Sequence, residues 1–153
     1  MRNPILSFRI SDGFSVGVNV DAVSGLGVDA TFSYLFVRTG NDQGKVAVIG
    51  DAGTTIGLNV GVSLSFTEYY YFDPSGKNEL HIDDFTGPRY ALAGDYSISG
   101  TVEVGLGLTI APIESDNNIN MIGVAYQYGV SPPTEMPVSF DVNKGATWFI
   151  KKY

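Results

Sequence analysis

The chain has 153 residues, of which 44% are apolar and 16% charged, and its formal charge at pH 7 is −7. The length fits one domain with a buried core. The acidic balance disfavours a nucleic-acid partner, because such binding depends on cationic contacts with phosphate. The absence of cysteine excludes thiol catalysis, disulfides and thiolate metal sites.

No apolar run is long enough for a transmembrane helix, and residues 1–10 do not have the pattern of a signal peptide. We therefore expect residues 1–153 to form a single all-β domain. Either the protein stays inside the cell, or the chain is a domain excised from a longer exported protein.

Four stretches alternate apolar residues with small ones. They span residues 14–20, 26–36, 56–66 and 102–110. A period of two predicts β-strands with two unlike faces. Lys, Glu and Arg usually occupy the wet face of a soluble sheet, but here Gly, Ser, Thr and Asn do. This second face is therefore expected to meet something close, such as another sheet, a narrow barrel interior or a ligand.

In chain order, the predicted strands span residues 5–10, 13–23, 26–38, 45–50, 55–72, 90–100, 101–113, 119–130, 136–142 and 146–152. Turn residues separate most of them, as at Asp12-Gly13, Ser24-Gly25 and 115–118. Residues 90–95 are the weakest part of this assignment and could form a helical turn. The pattern predicts an antiparallel β-barrel or β-sandwich of about eight to ten Gly-rich strands.

The alternation leaves open which face points inward. We expect the apolar face to form a shared core and the domain to be water-soluble, because burial of a Val or Leu contributes roughly 1.5–3 kcal/mol. The alternative is the pattern of transmembrane strands, apolar outside and small-polar inside, with Tyr and Phe near the strand ends. The residues expected in the core are Val18, Val28, Phe32, Leu58, Val60, Val62, Val104, Leu106 and Leu108.

Candidate catalytic residues lie between positions 79 and 89. His81 could act as a general base oriented by Asp83 or Asp84, with Arg89 nearby in sequence. The alternative is a polar surface loop that happens to contain a histidine. Glu79 with the two aspartates could bind calcium, but the acids do not alternate as calcium loops require. We predict no metal and no cofactor.

Aromatic residues suggest a second kind of site. Tyr69, Tyr70 and Tyr71 end a long strand, where they could line the rim of a ligand-binding mouth. Trp148 lies in a final apolar run and is predicted to pack in the core. The glycines of 57–61 and 105–107 lie inside strands without a following helix, so we predict a structural role rather than phosphate binding.

The glycine-alternating strands, such as 17–20 (Gly-Val-Asn-Val) and 102–108 (Val-Glu-Val-Gly-Leu-Gly-Leu), resemble those of all-β toxin domains of bacterial polymorphic toxins, especially the type called bacterial toxin 23. The resemblance spans most of residues 13–130 and supplies no catalytic residue. It implies a C-terminal domain of a long exported protein, an antibacterial role and a dedicated immunity protein.

Three functions follow as hypotheses. The first is a secreted bacterial effector that acts without catalysis on a competitor's envelope, with a membrane, an envelope protein or an immunity protein as its partner. The second is a soluble barrel that binds an apolar or aromatic small ligand. The third is a hydrolase-like enzyme centred on residues 79–89.

Overall fold

The computed structural model describes residues 10–76, 78–98, 101–113, 120–131 and 138–153. Within these residues the fold is all-β, with one short 3₁₀ turn at Ile82–Phe85. The six strands are β1 (Gly13–Val37), β2 (Val46–Phe72), β3 (Gly87–Ser97), β4 (Val102–Pro112), β5 (Asn120–Val130) and β6 (Val138–Lys152).

All strand pairings are antiparallel, and they close into a barrel. The order is β1-β2-β5-β4-β3-β6, and β2 also pairs with β6. β2 is long enough to do both, because residues 47–57 pair with β6 while residues 62–72 pair with β5. This double pairing joins the two ends of the strand order into a ring.

β1 follows the free edge of β2 over its whole length and folds back on itself at Gly25. That residue has a φ of 84°, a conformation that glycine adopts without steric cost. The two halves of β1 then lie side by side, since Thr31 donates to Asn19 at 2.6 Å and the rings of Phe14 and Phe36 stack 4.7 Å apart. The barrel wall is therefore continuous.

The prediction of an all-β antiparallel barrel or sandwich is confirmed, and the barrel is the alternative that forms, with six strands in the described residues rather than about eight to ten. Several predicted strands merge, because both the β1 and β2 regions keep pairing through their bends and residues 138–152 form one strand. Residues 90–95 are extended within β3 and not helical. The predicted strand at 5–10 and the turn at 115–118 lie almost wholly outside the described residues.

The prediction that the apolar face forms the core is wrong. Seven of the nine residues named for it are between 45% and 62% exposed: Val18, Val28, Phe32, Val60, Val62, Leu106 and Leu108. Of the other two, Val104 is only partly buried, and the side chain of Leu58 is not described. Trp148, also predicted in the core, is 48% exposed on the outer wall.

The physical reason is the narrowness of the barrel. A small barrel has room inside only for close-packed side chains. At Gly17, a Cβ atom would lie 2.0 Å from Oγ of Ser33 on the adjacent half of β1, so the inner face has no space for a side chain there. The small-residue face therefore lines the inside, and the apolar face is turned outward.

Candidate functional site: an apolar outer wall around a polar lumen

The outer wall is predominantly apolar. Among the described residues, thirty large apolar side chains are exposed, whereas the buried apolar set has only twelve members. Monomeric soluble proteins rarely expose an apolar patch larger than a few hundred Å². Here all six strands contribute exposed apolar residues, so the apolar surface encircles the barrel.

Few charges interrupt this wall. At the outward, even-numbered positions of the described strands, the charged residues are Glu68, Lys144 and Lys152. Glu68 and Lys152 lie near strand ends, whereas Lys144 lies in the middle of β6, with its ammonium 5.7 Å from the ring centroid of Tyr90. Among these outward strand positions, the wall thus carries one charge away from its rims.

Exposed aromatic residues lie near both rims of the wall, and others, such as Phe66 and Tyr126, lie between the rims. Near the ends of β1, β2 and β6 at one rim are Tyr34, Phe72 and Trp148. Near the opposite rim, Tyr96 and Tyr128 lie one and two residues before the ends of β3 and β5.

A groove of about 740 Å³ crosses the wall over β3, β4, β5 and β6. Its apolar sides include Leu92, Leu106, Tyr126 and Phe140. The groove is part of the outer wall rather than a pocket of the interior.

The interior of the barrel, which we call the lumen, contains a buried ionic network centred on Arg89. From β3, its guanidinium donates to Asp29 on β1 at 3.0 Å, to both carboxylate oxygens of Asp51 on β2, and to Asn143 on β6 at 2.7 Å. Thr147 also donates to Asp51 at 2.7 Å. Four strands are therefore tied together inside the barrel, with the bidentate pairing that arginine favours.

Carboxylates outnumber cations in the lumen. Arg89 is the one cation that lines the two described lumen cavities. The carboxylates that line them are Asp21, Asp29, Asp51, Asp95, Glu103 and Asp141. The larger cavity has a volume of about 120 Å³, and Gly107, Gly123 and Ala125 line part of it.

Apolar side chains close one end of the lumen. Leu80, Ile82 and Phe85 are 4–5% exposed and pack against inward residues of the barrel. The Phe85 ring meets the Tyr69 ring edge to face at 5.4 Å, and both rings line the 120 Å³ cavity. We call residues 80–85 the stopper.

Polar contacts hold the stopper to the barrel rim. Asp42, in the loop after β1, accepts a hydrogen bond from N of Ile82 at 2.8 Å and pairs with Lys45 at 2.5 Å. These two contacts, the backbone hydrogen bond first, hold the pKa of Asp42 below its usual value. Lys152, at the end of β6, forms an ion pair with Asp83. The stopper is thus fastened at its rim by ionisable side chains.

The structure does not assemble the predicted catalytic group. The His81 ring is exposed, and its Nδ1 lies 3.8 Å from Asp42. Asp84 instead accepts a hydrogen bond from N of His81 at 2.8 Å, and burial raises the pKa of Asp84. Asp83 binds Lys152, and Arg89 belongs to the lumen network. His81 and Asp83 would share one side only in an extended segment, but residues 82–85 form a 3₁₀ turn.

The calcium hypothesis finds no assembled site. Among the described residues, which include Glu79 but not residue 77, no group of three or more His, Cys, Asp or Glu side chains is arranged to hold a metal ion.

The three tyrosines do not form one rim. Alternation turns Tyr69 and Tyr71 inward, where Tyr69 shares a 3.1 Å hydrogen bond with Ser15 and Tyr71 is 8% exposed in the apolar cluster. Tyr70 points outward, and its hydroxyl donates to Glu68 at 3.2 Å. The sequence analysis did not predict the lumen network. One signal was present, because most charged residues of the strands stand at odd-numbered positions, like the small residues, and therefore share their face.

No helix in the described part of the chain is long and apolar enough to cross a bilayer. Comparison of the chain with protein-family models, with curated proteins and with solved structures finds no match.

Proposed function

We propose that this protein is a membrane-inserted β-barrel that acts on a bacterial envelope through direct contact between its outer wall and lipid. The observation that carries the proposal is the apolar wall on all six strands, surrounding a lumen that holds an ionic network. A soluble protein would place these two surfaces the other way round.

The wall surrounds the barrel, and this favours lipid over a single protein partner. A partner protein would cover one side and leave the other apolar residues in water. Lipid contacts every strand at once. β3, β4 and β5 each have 11 residues, which matches the roughly 9–11 residues of a tilted strand that crosses a bilayer.

Aromatic residues near both rims support the same proposal, because Tyr and Trp favour the interface between acyl chains and headgroups. The outer groove has the apolar lining that an acyl chain would occupy.

The dimensions of the lumen argue against the second hypothesis, a soluble barrel that binds a small ligand. Its larger cavity of about 120 Å³ falls short of the roughly 300–1,000 Å³ of typical ligand pockets. The tyrosines expected at the mouth are divided between the two sides of the wall.

The lone tryptophan provides a direct test. Trp148 is 48% exposed on the outer wall, and it is the one tryptophan of the chain. We expect its fluorescence to shift to shorter wavelength when the protein is added to lipid vesicles. We also expect strong quenching when the acyl chains carry bromine.

A matched control moves the indole by one residue. In the double variant Trp148→Phe/Phe149→Trp, the indole replaces an inward ring that packs against the apolar cluster. Bromolipid should quench it much less. Equal quenching of the two proteins, or none in either, would overturn the proposal of a lipid-facing wall.

The antibacterial role rests on the resemblance to polymorphic toxin domains and is part of this proposal. A protein that inserts into a competitor's envelope needs an immunity protein in the producing cell. We expect export of the chain to the periplasm of a susceptible bacterium to slow growth, and cytoplasmic expression to do so much less. Unchanged growth with verified export would refute the antibacterial role, while the fluorescence test would still decide the membrane role.

A further inference from the structure

We propose that the stopper is releasable, and that its departure turns the barrel into a narrow cation-conducting pore. The inference rests on the proposed membrane insertion, because conduction has meaning only for a barrel that crosses a bilayer.

The stopper is separate from the barrel wall. Its 3₁₀ turn, residues 82–85, belongs to the connection between β2 and β3 and pairs with no strand. It enters the end of the barrel by side-chain packing of Leu80, Ile82 and Phe85. Its withdrawal would therefore break no strand pairing of the wall.

Exposed or rim-located groups make the polar contacts that hold the stopper. They are the Asp42 carboxylate, the backbone hydrogen bond from N of Asn41 to O of Leu80 at 3.1 Å, and the ion pair between Asp83 and Lys152. Water can replace each of these partners. The apolar contacts are what keep the stopper inside.

Beneath the stopper, the ionic network leaves part of the lumen open. Arg89 bridges β3, β6, β2 and the second half of β1, which are neighbours on one side of the barrel. The 120 Å³ cavity is lined by this network on that side, by Gly107, Gly123 and Ala125 on the opposite side, and by the stopper ring of Phe85. Withdrawal of this ring would extend the cavity to the rim.

The lining of the lumen sets the expected selectivity. Six acidic side chains and a single guanidinium line the two cavities, and the smaller cavity, of about 10 Å³, lies among Asp21, Asp95 and Glu103. Burial raises the pKa of Asp95 to about 7 and that of Asp21 to about 6, so these two groups carry their full negative charge only above neutral pH. Rings of carboxylates favour cations in pores. An open lumen should therefore pass small cations in preference to anions.

Planar bilayer recordings test the proposal with two variants. Ile82→Ser/Phe85→Ser weakens the apolar hold without adding charge, and it should raise the open probability by roughly tenfold or more over the wild type. In a KCl gradient, the reversal potential should move toward that of K⁺. Asp95→Asn/Glu103→Gln in the same background should reduce this preference while conduction continues.

A covalent lock supplies the opposite perturbation. The chain has no cysteine, so Asp83→Cys/Lys152→Cys introduces a unique pair at an existing contact. A short bifunctional thiol reagent that joins the pair should abolish the openings seen before its addition. A single Asp83→Cys variant treated with the same reagent should keep them.

Quenching of Trp148 by bromolipid distinguishes failure of the stopper proposal from failure of the membrane proposal. If the stopper variant is inserted by that measure yet conducts no more than the wild type, the releasable stopper is refuted. Anion preference in the open state would refute the assigned lumen selectivity. If the wild type shows no quenching, the proposed membrane function fails, and this inference fails with it.

Discussion

If the apolar face contacts lipid, a charged substitution should lower the free energy of unfolding more in the middle of the wall than near its rims. Leu106 is 62% exposed near the middle of β4, and Val102 is 44% exposed at the start of the same strand. An arginine on the lipid face of a barrel costs about 2–4 kcal/mol at the bilayer midplane and about 0–1 kcal/mol near the interface. Leu106→Arg should therefore lower the free energy of unfolding from lipid far more than Val102→Arg.

The larger cost corresponds to a change of roughly 30- to 900-fold in the folding equilibrium. Urea titration of the protein in lipid vesicles, followed by the fluorescence of Trp148, measures it. Leu35→Arg is the control for sensitivity, because Leu35 is 0% exposed in the apolar cluster and a charge there is costly in any solvent.

In water, the two wall variants would be nearly equal, since substitutions at exposed positions usually change stability by less than about 0.5 kcal/mol. Equal, small effects of Leu106→Arg and Val102→Arg, together with a large effect of Leu35→Arg, would refute the lipid-facing wall.

Three further outcomes are expected. Lys144→Leu should raise the free energy of unfolding from lipid by as much as about 2–4 kcal/mol, because it removes a mid-wall cation; a decrease in the same urea titration would count against the assigned facing. Arg89→Leu should lower the free energy of unfolding by about 3–5 kcal/mol in detergent micelles, because it leaves two buried carboxylates without their cation; a neutral result would show that the network adds nothing to stability. The pKa of Asp42 is lower in the folded protein than its unfolded value near 3.9. The Asp42 carboxylate therefore stabilises the stopper fully above that pH, and this stabilisation is lost as the pH falls through the pKa of the folded state. Hydrogen exchange of the stopper amides, corrected for the intrinsic rate, should therefore accelerate below about pH 4, and Asp42→Asn, which leaves Lys45 and His81 in place, should remove most of this pH dependence.

Part of the candidate site could be read from residue types and part could not. The sequence pointed to positions 79–89 as a candidate site, and the stopper lies there. It did not show that His81 faces Asp42 or that Arg89 enters the lumen, because those contacts join residues about 40 to 60 positions apart. Such contacts depend on the pairing of distant strands, which local patterns do not specify.

The sequence by itself determined the strands and their two unlike faces, because side chains alternate across a strand whatever surrounds it. It did not determine which face points inward, since alternation is unchanged when the two faces are exchanged. Closure of the barrel decided that question. Over much of its length the interior is filled by small and polar side chains, so Val28 and Leu106 lie outside while Ser33 and Asp29 lie inside. Larger inward side chains such as Leu35 are confined to the cluster beneath the stopper. The same closure places Trp148 on the outer wall, and it places Tyr69 and Tyr71 inside the barrel while Tyr70 lies outside.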